Sequence, residues 1–282
     1  MSLLVVGALH WDVVVKAPRL PELDETLRGQ EVAYQFGGKG GNQAIAAASA
    51  GAPVNFAGRI GADAAGKSML KQLETAGIDV SQLQRGLGSS GMSVAISTEG
   101  GDYGAVIVSA ENHAFDMSEF KIPSDCSMVL LQNEMAPGAF AAFANAASAT
   151  GAQIIWNAAP AKEIQMADLA LVDTLIVNRL EAADLIGHDD IGFSPAATLA
   201  KLADLAPDAE IILTMGGDGA AFSAPGEPCE VQKAHPVDVI STHGAGDVFV
   251  GTYAASRLRG LSLSEAVSAG QKAASKHVSQ RR

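Results

Sequence analysis

The chain has 282 residues, 48% hydrophobic and 18% charged, with a formal net charge of -12 at pH 7. That is ordinary globular composition with enough length to bury a sizeable core, and its charge argues against a nucleic-acid partner, which needs clustered Lys and Arg. Cys126 and Cys229 are too few for a disulfide framework and lack metal-ligand spacing, so they read as buried thiols in a reducing compartment.

Residues 1–12, MSLLVVGALHWD, are apolar, lack a basic leader and meet Asp12 early, so they read as a buried first strand rather than a signal peptide. Short apolar runs then alternate with helical patterns, the signature of a parallel sheet flanked by helices. Strands are expected over 3–7, 54–57, 128–131, 153–156, 174–177 and 211–214. Helices are expected over 42–50, 67–76, 136–149, 180–186, 196–206, 245–259 and 264–276. This is an α/β chain, a three-layer Rossmann-like sandwich with a mostly parallel central sheet. Continuously apolar strands such as MVLL at 128–131 fit a sheet covered on both faces.

Two segments, 12–36 and 90–109, break the rhythm with β-branched runs and the turn EGGDYG. They read as a small, mostly antiparallel β lid, part of one domain spanning 1–282. A lid of this kind would shield a reaction centre from water, although a peripheral hairpin is also consistent with the pattern. The Ala-rich run 137–152 comes nearest to a membrane span but carries Asn145, Ser148 and Thr150. No stretch reaches the roughly 18 apolar residues a span requires, so the chain reads as soluble, without a membrane partner.

Three glycine-containing clusters carry the chemistry. In STHGAGD, residues 241–247, Gly244 and Gly246 precede a helical pattern and let backbone N–H groups approach an anion. Asp247 in the first turn is placed either to accept a proton from a bound nucleophile or simply to cap the helix. In GGKGGN, residues 37–42, glycine density again precedes a helix, and Lys39 and Asn42 supply donors. A tight strand-to-helix turn explains the same pattern. Residues 61–68, GADAAGKS, satisfy the P-loop expression, but Asp63 would set a negative charge beside the phosphates. There Asp63 instead suits a turn or a helix cap.

In order along the chain, these motifs resemble the ribokinase-like (PfkB-type) carbohydrate kinases. The resemblance is carried by GALHWD at 7–12, GGKGGN at 37–42, the Gly61–Asp63–Gly66 turn, Glu134 after MVLLQN, NAAPA at 157–161, Asn178 with Glu181, TMGGDG at 214–219 and STHGAGD. It implies ATP-dependent phosphoryl transfer to a primary hydroxyl of a sugar, ribose or a relative, or alternatively of a nucleoside. It further implies Asp247 as base, with the N–H groups of Gly244, Ala245 and Gly246 stabilising the transferring phosphoryl group. Asp12, Gly38, Lys39, Asn42 and Glu134 would bind the acceptor. Asn178, Thr214, Gly216, Gly219 and His243 would line the nucleotide side, and Glu181 with Asn178 would help hold Mg²⁺. A helix cap followed by a first-turn acid is the structural alternative for Asn178 and Glu181, and their place in the ordered motif series favours the functional reading. The same resemblance suggests a cytoplasmic enzyme and a homodimer formed through the lid.

Some positions depart from the family pattern. Ser241 stands where the family has an Asp that helps bind a monovalent cation, which leaves a K⁺ requirement open. His10 and Trp11 replace small or amide residues, and the VSQRR ending lacks the usual tail that covers the nucleotide. His113, His188, His235 and His277 show no metal spacing, and Asp189–Asp190 read as a solvated loop. A catalytically silent sugar-binding protein on the same fold, or a P-loop nucleotidase using Lys67 and Ser68, are the competing readings.

Overall fold

The computed structural model describes residues 1–98, 103–161, 164–187 and 193–280. The turn at 99–102, His188, Asp189–Asp190 and the last two residues of the VSQRR ending lie outside the described residues.

The N-terminal half runs β1 (Ser2–Val6), β2 (His10–Ala17), β3 (Glu31–Gly37), α1 (Lys39–Ser49), β4 (Val54–Gly61), α2 (Ala64–Thr75), β5 (Asp79–Gly86), β6 (Met92–Thr98), β7 (Tyr103–Val108) and β8 (Cys126–Leu131). It continues through α3 (Ala139–Ser148), β9 (Gln153–Asn157), β10 (Thr174–Asn178), α4 (Arg179–Ile186), α5 (Pro195–Leu205), β11 (Glu210–Thr214), β12 (Ala220–Ser223), β13 (Glu230–Gln232), α6 (Ala245–Leu258) and α7 (Leu263–Val278). Nine strands form one sheet in the order β13-β12-β11-β10-β9-β8-β1-β4-β5. Strands β11 through β5 in that order are parallel, and β12 and β13 add an antiparallel edge.

Alternation within each strand divides the core into two layers. Leu4 and Val6 of β1 join the cluster under α3, α4 and α5, whereas Leu3 and Val5 join the cluster under α1, α2, α6 and α7. The MVLL run divides in the same way, Val129 and Leu131 against Met128 and Leu130. Each such fully buried aliphatic side chain stabilises the fold by roughly 1.5–3 kcal/mol relative to exposure. Charged substitution in these strands therefore has no solvated face to turn to.

The expected central strands and helices all form, with ends shifted by a few residues. The helix expected over 136–149 begins at Ala139, because Pro137 precedes Gly138, which takes a left-handed conformation at its N-cap. Strand β5 and the β12–β13 edge were not expected, because β5 and β13 are mixed polar sequences and the apolar run of β12 is only three residues long. The two cysteine thiols are free but only partly buried, rather than fully enclosed.

The second sheet, ordered β3-β2-β6-β7, is the lid. Its outer pairs are antiparallel, while β2 and β6 pair in parallel. That parallel pair is possible because the long segment between them crosses the main sheet before returning. Asn112 pins the lid's root: its side chain accepts from Leu9 N (3.0 Å) and donates to Leu9 O (2.9 Å). Among the described residues, no helix is long and apolar enough to cross a membrane.

Candidate active site

The carboxyl ends of β1, β8, β9, β10 and β11 open toward one crevice, the usual ligand position in open α/β sheets. The lid stands over it, and the N-termini of α1 and α6 point into it.

Lid residue Asp12 is buried and accepts from Ser93 Oγ (2.6 Å) on the neighbouring strand. Gly37, at the end of β3 and paired with His10, has no room for a side chain because a β-carbon would strike the Asp12 carboxylate. Gly38 adopts φ +87, and a β-carbon there would meet the backbone of residues 8–10. Only glycine combines that dihedral with that approach. The start of α1 thus lies directly against the β1–β2 connection.

At the first position of α1, Lys39 N donates to Glu134 Oε2 (2.7 Å), tying the helix to the loop after β8. Burial pushes the Glu134 carboxyl up to about 7, against the opposing pull of Lys39. Burial alone would lower the Lys39 ammonium, but Asp247, Glu134 and Glu181 together hold it above its ordinary value. These four charged groups converge on one site although they lie far apart in the chain.

Asp247 lies in the first turn of α6, about nine-tenths buried at 8% exposure. Asn42 Nδ2 donates to its Oδ2 (3.1 Å), and Gln43 Nε2 donates to its Oδ1 (3.0 Å). The N-cap, Gly244, is left-handed at φ 73 and makes no side-chain cap, which leaves the Gly246 N–H open to a ligand. Ala245 N turns back to Thr242 O, while the space around Gly246 is open. Asp247 is therefore no helix cap: its oxygens are engaged by α1.

Asn178 and Glu181 form a complete capping box, with Glu181 N donating to Asn178 Oδ1 (2.9 Å) and Asn178 N to Glu181 Oε2 (2.8 Å). The structural reading of this pair is realised, and one Glu181 oxygen remains outside the box. Burial raises the Glu181 carboxyl, and the Lys39 and Asp247 charges act on it from across the crevice. Thr214 stands beside Asn178 in the parallel register of β10 and β11. Gly216 and Gly219, at φ 60 and φ 100, shape the turn that follows. His243 is exposed at the rim, its carbonyl oxygen 2.9 Å from His277 Nε2. Among the described residues, no group of three or more His, Cys, Asp or Glu gathers as a metal site. The Glu181 carboxylate beside an anion loop suits Mg²⁺, which keeps its waters and binds mainly to phosphate oxygens.

A cavity of about 250 Å³ lies beneath the lid, lined among others by His10, Ile107, His113, Gln132, Glu134 and Trp156. Ile107 shares the lid face that carries Asp12 and Ser93. His10 is buried, and burial holds its imidazole below the ordinary value.

The P-loop pattern is closed by its own aspartate. Asp63 accepts from Gly66 N (2.7 Å), Ser90 N (2.8 Å) and Ser90 Oγ (2.6 Å), capping α2 and anchoring the lid's return strand. The loop amide and the space a phosphate would need are both taken. Gln43, Asn157 and Asn112 were not singled out as functional residues. The available signal for Gln43 was a lone polar side chain on the otherwise apolar buried face of α1.

The pfkB family carbohydrate kinase model matches residues 1–282. The ribokinase of Haemophilus influenzae is 32% identical over 290 residues, covering 99% of this chain and 93% of its own. The structure of Arabidopsis thaliana ribokinase complexed with ribose and ATP superposes with a TM-score of 0.90 at 27% identity, covering 100% of this chain and 93% of that one. A ribokinase from Cryptococcus neoformans in complex with ADP gives a TM-score of 0.86 at 27% identity, covering 99% and 94%.

Proposed function

The chain belongs to the pfkB family of carbohydrate kinases and is an ATP-dependent sugar kinase, and we propose that Asp247 is the base that activates a primary hydroxyl of ribose or a closely related sugar. The observation that carries this reading is the buried Asp247 carboxylate, held by Asn42 and Gln43 at the open N-terminus of α6. The acceptor hydroxyl gives its proton to Asp247 while its oxygen bonds to the γ-phosphorus. The bond from that phosphorus to the bridging oxygen breaks, and its electron pair leaves with ADP. The N–H groups of Gly244 and Gly246 offset the charge on the transferring group, whereas Ala245 N, also expected there, is engaged by Thr242 O.

Asp12, Gly38, Lys39, Asn42 and Glu134 hold the acceptor's hydroxyls under the lid. Asn178, Thr214, Gly216, Gly219 and His243 line the nucleotide. Glu181 with Asn178 would hold Mg²⁺ through water, and the ion would neutralise phosphate charge when bound. Ser241 is exposed and brings no carboxylate to a monovalent cation, so activation by K⁺ is expected to be weak.

A homodimer through the lid is supported by its outer face. Tyr34, Val94 and Val106 form one apolar row across three strands, and each is exposed, as are Val32 and Val108 on the same face. A monomer at all concentrations in sedimentation would overturn this. Free, partly buried thiols and a nucleotide substrate suit the cytoplasm.

The test is ADP release with MgATP against ribose, other pentoses, hexoses, ketosugar acids and nucleosides. Asp247→Asn should lower kcat by roughly 10²–10⁴ without unfolding the protein. Turnover indifferent to acceptor or to the substitution would overturn the assignment.

A further inference from the structure

Gln43 has 0% exposure and lies in α1, one residue beyond Asn42. Its amide is completely directed. Asn157 Nδ2 donates to Ile176 O (3.2 Å), which turns Asn157 Oδ1 toward Gln43. Gln43 Nε2 then spends its two hydrogens on Asn157 Oδ1 (2.9 Å) and Asp247 Oδ1 (3.0 Å). On its other side, Gln43 Oε1 accepts from Gln132 Nε2 (2.7 Å). The partners of that amide come from the ends of β8 and β9 and from helix α6, and β10 orients one of them through Ile176.

We infer that Gln43 is the positioning residue for Asp247: it clamps Oδ1 from the buried side so that Oδ2, held by the half-buried Asn42, is the oxygen presented to the acceptor. This rests on the proposed role of Asp247 as base. The geometry separates the two carboxylate oxygens by environment. Oδ1 meets a donor that no solvent reaches, and Oδ2 meets a donor on the crevice side. A carboxylate free to rotate would have both oxygens available and no fixed line to the hydroxyl. Holding it removes that rotational freedom before the substrate arrives. A hydrogen bond to a charged acceptor is also among the stronger ones, so the clamp holds Oδ1 firmly in place.

The experiment combines kinetics with a double-mutant cycle. Gln43→Leu keeps the volume and removes the donor, and Gln43→Glu keeps the shape and sets a carboxyl against Oδ1. Both should lower kcat by roughly 10- to 100-fold with little change in acceptor KM. In an Asp247→Asn background, Gln43→Leu should change kcat no further, because its effect passes through the carboxylate. Losses that add across the two sites, or that fall on KM and thermal stability alone, would overturn the inference and leave Gln43 a packing residue. The crystal structure of Gln43→Leu decides the geometry without reference to activity: Asp247 rotated off its wild-type orientation supports the clamp, and an unmoved carboxylate overturns it. Should the wild type show no acceptor-dependent ADP release, the assignment of the base falls, while that crystallographic outcome still decides the positional claim.

Discussion

Gly251 of α6 lets that helix lie against the carbonyl oxygen of Gln43 on α1, in a space that any β-carbon at position 251 would overlap. Gly251 is one turn beyond Asp247 on the same helix face. The close approach of the two backbones is what brings Gln43 Nε2 within 3.0 Å of the carboxylate.

Gly251→Ala must therefore push the helices apart. Overpacking of this kind costs about 1–3 kcal/mol. The expected result is a lower melting temperature together with a fall in kcat, measured by thermal denaturation and steady-state kinetics. A variant that loses stability but keeps its full kcat would show that the helix spacing does not set the position of Asp247.

Glu134 should make acceptor binding depend on pH. Its folded value of about 7 lies above the unfolded 4.5 because burial disfavours the charge, opposed by Lys39 and assisted by Asp247 and Asp12. Its contribution to stability is thus fully present below about pH 4.5 and lost as pH rises through about 7. Binding runs the other way, since the ionised carboxylate is the better acceptor for sugar hydroxyls. Acceptor KM should fall roughly 3- to 10-fold as pH rises through neutrality, and the trend should be flat in Glu134→Gln. A trend that survives this substitution belongs to another group.

Asp63 and Lys67 separate the kinase from the P-loop reading. Lys67 is exposed, and its removal in Lys67→Ala should leave the ATP KM unchanged. Asp63→Ala removes the α2 cap and two bonds to Ser90, so a loss of about 2–4 kcal/mol in denaturant unfolding is expected. Loss of nucleotide binding in Lys67→Ala with full folding would reverse that assignment.

Glu181 carries two roles that substitution can divide. Gln at this position keeps the capping box with Asn178 but removes the charge. Glu181→Gln should raise the Mg²⁺ needed for half-maximal activity by roughly 10-fold at unchanged stability. Glu181→Ala should additionally lose about 1 kcal/mol with the cap. Equal Mg²⁺ dependence in wild type and Glu181→Gln would confine the residue to capping.

Much of the architecture was legible in the chain itself. MVLL read as a strand covered on both faces, and the clustered glycines of GGKGGN and STHGAGD read as turns before helices, made either for a tight connection or for close approach by something else. Periodicity and glycine chemistry are local, so they survive without knowledge of the fold. Motif order likewise placed Asp247, Asn42 and Glu134 in one site. What the sequence left undecided were contacts whose partners lie far apart along the chain. Whether Asp247 capped its own helix or faced α1 depended on a bond spanning 204 residues to Gln43. The parallel pairing of β2 with β6 and the Asn112 bonds at the lid's root depend in the same way on distant segments meeting. A glutamine among alanines looks the same in sequence whether it faces solvent or a buried carboxylate. The packing of α1 on α6 settled which, because it removed water and left Asn157, Gln132 and Asp247 as the partners of that amide.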